Sequence, residues 1–456
     1  MVFDSRGSRR ALRALVPLVM ALIASRAAEA QYGGLVSGTG AINRSMAGTA
    51  TAAPTSAAGA LYWNPATMMG LPQSEFEANV ELLLPHVSNT SFIPANALGP
   101  GVPPIDLSGT RDSESNVFGL PSIGYVCLPP GSRFGFGLGI FTVAGFGVDY
   151  PGSTLAPPLV GPPPPNGFGF GPLFSQFQTL QISPSLAYQV TDRFSISAGP
   201  TIDIAMLQAD PGVFATPNAN GTYPTATHGQ TTWGGGFVLG AYYQGDVWST
   251  GVSYKSPQWF DTFDYNSANE LGQPRHLTFN LSLPQIVSVG TAYTGIDRWL
   301  FAVDARYIDY SNTQGFGDSG FAATGALRGT GWNSIFAVST GVQYQATDRL
   351  SLRMGYSWSQ NPVPDRQSVE NSLSPVIIQN MITAGASWSV TPDCLVSVAY
   401  WHAFENSVKG PYQTPAGAIP GGFVQNTASA DSFIIGATIR FGAPRHTMPS
   451  GGSGAL

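Results

Sequence analysis

The chain has 456 residues, a net charge of −6, only 10% charged residues, 11% aromatics and 55 glycines. An average soluble domain carries about 25% charge, so an ordinary solvated surface is excluded, and without a basic cluster beyond the first residues nucleic acid is excluded as a partner. The length would allow two or three globular domains, but no linker or change of pattern divides the chain after Pro72, so one large unit is the simpler reading.

In chain order, Arg6, Arg9, Arg10 and Arg13 precede an apolar run from Ala14 to Ala24 and then Ala28-Glu29-Ala30. This pattern predicts a secretory signal over residues 1–30, cleaved after Ala30. The apolar run falls short of the about 20 residues that a spanning helix needs. Residues 31–73 are rich in Gly, Ala, Ser and Thr and lack a sustained apolar period of either 2 or 3.6 residues, which points to a compact plug. Within it, Pro65 has no N–H and holds Asn64 extended, so Asn64-Pro65-Ala66 reads as a fixed bend with a free amide.

From Glu75 onward the sequence alternates. Leu350, Leu352, Met354, Tyr356 and Trp358 share one face, while Ser351, Arg353, Gly355 and Ser357 share the other. The same division recurs at Phe194, Ile196, Ala198, Ile202 and Ile204 against Ser195, Ser197, Gly199, Thr201 and Asp203. The outer face of a soluble sandwich would carry many Lys and Glu. Here the polar face is Ser, Thr, Gly, Gln and Asn, as suits a lumen inside a lipid-facing wall.

Tight links, such as Thr191-Asp192, Thr347-Asp348 and Pro392-Asp393, alternate with long ones without a miss. That pattern predicts an all-β fold over residues 74–441: a 14-stranded antiparallel transmembrane β-barrel, its lumen plugged by residues 31–73, with a tail at 442–456. The second strand is placed at 114–128 and the eighth at 275–294, and the last long link runs from Asn406 to Ala430. Trp233, Trp248, Trp299, Trp358, Trp388, Tyr310, Tyr344 and Tyr400 fall near strand ends, where aromatic girdles meet the membrane interface. Cys127 and Cys394 lie three strands apart around the closed barrel, about 14 Å, so both are expected to be free thiols.

Several pieces of the sequence together resemble the FadL-type outer-membrane transporters. They are Asn64-Pro65-Ala66 after the small-residue segment, Phe118-Gly119-Leu120-Pro121-Ser122, the glycine run from Phe134 to Gly139, Gly251 to Ser256, Leu283-Pro284, and Leu352 to Tyr356. The resemblance covers nearly the whole mature chain. It implies a bacterial outer-membrane channel for passive, facilitated diffusion of hydrophobic small molecules, with long-chain fatty acids the leading expectation and toluene-type arenes the alternative. It further implies ligand capture by outer loops, an inner pocket, rearrangement of the plug as a hatch, and lateral exit at a kinked third strand.

On that reading Asn64, Pro65 and Ala66 form the hatch motif. Gly135, Gly137 and Gly139 are candidates for the kink, since glycine within a strand marks bulges and bends, or else they make room for the hatch. Phe168, Phe170, Leu173 and Phe174, which follow a proline-rich run, are candidates for the capture loop, or else part of a stiff spacer. Alternation turns Asp203, Lys255, Asp304, Arg306, Arg353 and Arg440 into the lumen. Of these, Arg353, Arg306, Lys255 and Arg440 could meet a carboxylate, Arg353 being the first choice, though structural pairing competes at each position.

An outer-membrane hydrolase finds no anchor, because the five histidines are scattered and neither G-x-S-x-G nor H-E-x-x-H occurs. An unobstructed porin would have no use for the segment ahead of the first strand. No metal or other cofactor is expected, and the partners are an apolar ligand and outer-membrane lipid around a monomer.

Overall fold

The computed structural model describes residues 32–115, 117–229 and 231–444. The expected signal peptide and all but the first three residues of the tail lie outside them. Fourteen antiparallel strands pair with their chain neighbours, and the first closes on the last from Ser74↔Phe441 to Phe92↔Phe423. They are β1 (Ser74–Ile93), β2 (Leu107–Asp112 and Phe118–Cys127), β3 (Phe134–Tyr150), β4 (Leu173–Thr191), β5 (Phe194–Asp210), β6 (Thr232–Gln244) and β7 (Trp248–Lys255 and Gln258–Phe260). The second half comprises β8 (Ser282–Leu283 and Ile286–Tyr293), β9 (Trp299–Ile308), β10 (Ile335–Gln345), β11 (Leu350–Ser359), β12 (Asn380–Thr391), β13 (Cys394–Thr414) and β14 (Gly417–Phe441). Closure leaves no edge strand, which is what lets a sheet cross hydrocarbon with every backbone group paired.

The two faces divide as the alternation requires. Met354, Ile435, Phe433 and Val398 are exposed on the outside, while Ser351, Arg353, Ser397 and Ser432 are buried within. Aromatic pairs belt the end with the short turns, including Trp248 with Tyr293 at 4.5 Å and Trp299 with Tyr344 at 4.6 Å. Tyr310 does not join a belt. It lies just past β9, is fully buried, and donates its hydroxyl to the carbonyl of Tyr32 inside the barrel. Cys127 and Cys394 are both free.

Three boundaries differ from the sequence expectation. The stretch placed in a long link from Asn406 to Ala430 is mostly strand, because β13 and β14 keep pairing to Thr414↔Gly417, with β1 alongside β14 as far as Phe92↔Phe423. Its prolines and glycines read as loop punctuation, but the paired extension accommodates them, with register shifts at Ala403/Asn406 and Pro411/Gln413. The first part of the predicted eighth strand, Pro274–Phe279, pairs instead with Phe263–Ala268 in a separate external hairpin. The second strand is interrupted between Asp112 and Phe118, and that break matters below.

The chain ahead of β1 fills the lumen. Helices α1 (Gly40–Arg44) and α2 (Ala57–Trp63) and a 3-10 turn (Pro65–Gly70) are buried throughout. Inward glycines of the wall let this segment lie flush against the strands. A Cβ on Gly124 would stand 2.6 Å from the Ala58 nitrogen, one on Gly355 2.7 Å from the Ala47 nitrogen, and one on Gly385 2.6 Å from the Ser45 Cβ.

Candidate functional site

The inner segment is tied to the wall by buried charges. Asp304 Oδ2 on β9 accepts from the Ala50 and Thr51 amides at 2.9 and 3.0 Å, from the Thr51 hydroxyl at 2.8 Å, and from Arg306 Nη2 at 2.7 Å. Arg306 also donates to the Gly48 carbonyl at 2.8 Å, and its guanidinium lies 3.7 Å from the centre of the Trp63 ring. On β1, Glu81 takes Arg44 at 2.7 Å and Trp401 Nε1 at 2.9 Å, while Glu77 and Glu75 accept the Ala58 and Ala57 amides that open α2. These three glutamates were not singled out from the sequence. The signal was present in Glu75-Phe76-Glu77-Ala78-Asn79-Val80-Glu81, where acids alternate with apolar residues and so face inward.

Asn64 is fully buried and ends α2. Its Oδ1 accepts from the Ala66 amide at 3.2 Å, and its Nδ2 donates to the Thr51 carbonyl at 2.8 Å and to the Ala241 carbonyl of β6 at 3.0 Å. The bend thus joins two parts of the plug to one another and to the wall. Pro65 opens the 3-10 turn, where its missing N–H is no loss.

The third strand does kink, but not at its glycine run. Gly135 and Gly137 point inward onto Met69 and Leu61, while Phe134, Phe136 and Leu138 face outward between them. Gly139 faces the Phe141 ring of its own strand. They make room for the plug and for that ring. The expected result for Gly137→Ala is a plug displaced at Leu61, with about 1–3 kcal/mol of overpacking but an unchanged β3 path, checked by crystallography of the variant.

The irregularity falls higher, where Thr142↔Leu180 is followed by Ala144↔Thr179 and Val143 is the extra residue. Pairing between β2 and β3 ends at Ser122↔Phe141. Above it β3 bends inward and finds another partner, since the Val36 amide donates to the Val143 carbonyl at 3.0 Å and the Gly145 amide to the Gly34 carbonyl at 3.0 Å. Strands β2 and β3 rejoin only at Glu114, whose amide donates to the Asp149 carbonyl at 2.7 Å. Between these two junctions the β2–β3 ladder is interrupted, leaving a window bordered by Phe118–Pro121 of β2 on one side and Thr142–Val148 of β3 on the other.

On the external side, the loops after β3 and β5 and the long β13–β14 hairpin enclose a cavity of about 640 Å³, lined by Phe168, Phe170, Tyr223, Tyr412, Ile419 and several prolines. Phe170 also lines a small cavity of about 20 Å³ beneath it, together with Leu159, Leu173 and Glu370. That space shares Glu370, Leu327 and Leu373 with an inner cavity of about 80 Å³ bounded by Phe146, Phe214 and Phe316. Phe146 belongs to the stretch of β3 that frames the window. The three cavities are thus adjacent through shared lining residues, from the outer loops to Phe146 of β3.

Of the loop residues singled out from the sequence, Phe168 and Phe170 line the outer cavity and Leu173 the space below it, while Phe174 lines none of these cavities. The lumen cations face inward, and none lines these cavities. Arg440 pairs with Glu75 at 2.9 Å. Arg353 donates to Gln343 at 2.7 Å and to Ser387 at 2.6 Å. The Lys255 ammonium sits 4.0 Å from the centre of the Tyr62 ring. Asp203 takes Gln181 at 2.8 Å. Among the described residues, the only acids lining these spaces are Asp210 in the outer cavity and Glu370 in the two inner ones.

No curated protein matches the chain by sequence. Among solved structures, a Pseudomonas aeruginosa FadL homologue superposes with a TM-score of 0.66 at 18% identity, covering 90% of this chain and 100% of that one. The Ralstonia pickettii toluene transporter TbuX gives 0.63 at 18%, covering 89% and 99%, and the Pseudomonas putida toluene transporter TodX 0.62 at 18%, covering 90% and 100%. These likenesses carry the fold. Residues 19–442 match the family described as outer membrane protein transport protein (OMPP1/FadL/TodX). The chain belongs to that family, the outer-membrane β-barrel channels that transport hydrophobic compounds, and not to a family of enzymes.

Proposed function

We propose that this protein admits a neutral hydrophobic molecule of arene size by passive diffusion, through capture in the outer cavity, passage past Phe170 into the inner cavity, and release sideways through the β2–β3 window. The observation that carries this reading is the shared lining of successive cavities ending at Phe146 on the irregular strand. An apolar cavity of about 150 Å³ holds one benzene ring, so the inner space of about 80 Å³ must widen even for a single ring and is far from accommodating a long acyl chain. The cavities also offer no Lys or Arg to a carboxylate. Lys255 is committed elsewhere, its ammonium lying 4.0 Å from the centre of the Tyr62 ring and 5.1 Å from that of Trp63. Release through the window requires the pairing of Gly34 and Val36 with β3 to part.

The test is uptake by a host lacking its own transporter. Toluene uptake above the empty-vector level is expected, without comparable uptake of a long-chain fatty acid. Phe170→Ala should lower toluene uptake several-fold, because truncating an aromatic at the centre of a binding surface commonly costs about 1–3 kcal/mol or more. Uptake of hydrophilic sugars in place of both hydrophobes would overturn the reading.

A further inference from the structure

The path contains one buried acid to which transport by an apolar pore assigns no task. Glu370 stands on the external loop between β11 and β12, is only 6% exposed, and lines both the small and the inner cavity. Its Oε2 has no hydrogen-bond partner among the described residues.

The neighbouring polar groups are already committed. Asn371 accepts from Trp332 Nε1 and donates to the Thr330 carbonyl at 2.8 Å and the Gln367 carbonyl at 2.9 Å, and the Ser372 hydroxyl donates to the Ser368 carbonyl at 3.1 Å. Burial pushes the Glu370 carboxyl up to about 7. A buried acceptor left unmet is costly unless a ligand meets it, and the two cavities that Glu370 borders are lined mainly by apolar side chains, with Ser372 in the small one and Ser175, Gln208, Thr330 and Ser374 in the inner one.

We infer that Glu370 is the specificity-determining residue of the inner cavity: it accepts a hydrogen bond from the hydroxyl of a neutral hydroxylated arene, of the alkylphenol kind, and turns away carboxylates. A phenolic hydroxyl is a donor at the end of an apolar ring, which is what an acceptor at the rim of an apolar space can use. A carboxylate has no donor to offer and brings a second set of acceptors, or a like charge, to the same place. The inference rests on the neutral-arene reading above and refines its ligand class.

The test uses the purified full chain and isothermal titration with ethylbenzene, 4-ethylphenol and 4-ethylbenzoate. The unaltered protein is expected to bind 4-ethylphenol about five- to tenfold more tightly than ethylbenzene, the effect of one net hydrogen bond, and to bind 4-ethylbenzoate most weakly. Glu370→Leu should bring the phenol-to-ethylbenzene ratio to about one while keeping ethylbenzene binding, which also reports that the variant is folded. Glu370→Gln, which retains an acceptor, should keep a ratio above one.

A ratio that Glu370→Leu leaves unchanged overturns the inference, as does 4-ethylbenzoate binding as tightly as 4-ethylphenol. If Glu370→Leu does not fold, a ratio of one in the unaltered protein overturns it by itself. Binding of ethylbenzene with no role for Glu370 sinks this inference alone, whereas failure of every hydrophobe to bind sinks the transport reading with it.

Discussion

Deleting Val143 is expected to reduce uptake of toluene to the empty-vector level while leaving the barrel folded. Val143 is the extra residue between Thr142↔Leu180 and Ala144↔Thr179. One residue of excess on one strand bends that strand and releases it from its other neighbour. Here the bend carries β3 away from β2 above Ser122↔Phe141 and onto Gly34 and Val36 of the plug. Without the excess, β3 can continue its ladder with β2 and the window is filled by wall. Uptake measured beside heat-dependent gel migration, which reports a closed barrel, checks the result. Unchanged uptake in a folded variant would show that ligand leaves by another way, through the periplasmic end of the lumen.

The second large effect is expected at Asp304→Ala. One carboxylate oxygen there takes four hydrogen bonds, three of them from Ala50 and Thr51 and the fourth from Arg306. Both acid and guanidinium are essentially sealed from solvent, with side-chain exposures of 1% and 0%. Removing one partner of such a pair leaves a buried charge unmet and costs about 3–5 kcal/mol. The strand ladders to either side of β9 do not depend on this carboxylate, so the cost falls on the docked plug. A shift of that size raises the undocked population by about two orders of magnitude or more. The measurement is proteolysis within residues 48–54 together with single-channel conductance in planar bilayers. A variant whose plug stays protected and whose lumen stays closed would show that Glu81, Glu77 and the glycine contacts suffice. Asp304→Asn should fall between the two, since its amide oxygen still accepts from the plug backbone but its amide nitrogen faces Arg306.

Features that are local along the chain are legible in the sequence, and those that depend on distant neighbours are not. The lipid-facing and lumen-facing sides of β5 and β11 follow from a period of two along the chain, and that period requires no knowledge of neighbours. The alternation of short and long links likewise carries strand number and the side on which the loops gather. Tyr310 was misplaced because proximity to a strand end is a one-dimensional signal. Its true surroundings are Tyr32 of the plug and Phe316 and Trp332, which the link between β9 and β10 folds back onto it. The extension of β13 and β14 was hidden for the opposite reason, because local proline and glycine chemistry argues for loop and only long pairing between the two strands overrides it.

The candidate site divides in the same way. Phe168 and Phe170 could be read as a binding surface because an apolar run in an external loop is conspicuous on its own. Glu370 could not, since a lone acid in a loop is unremarkable until its surroundings prove apolar and its oxygen unmet. Glycines at 135, 137 and 139 announced that something comes close to β3. Whether a bend or the plug was the cause depended on Met69 and Leu61, some 70 residues earlier.

By itself the sequence determined that this chain is a closed, plugged barrel with an apolar exterior, since periodicity, composition and link length are properties of a chain taken in order. Only the tertiary structure decided where the wall opens, which lumen charges hold the plug, and which acid borders the path. Those depend on a single extra residue in one ladder and on groups brought together from distant segments, and no local pattern records either.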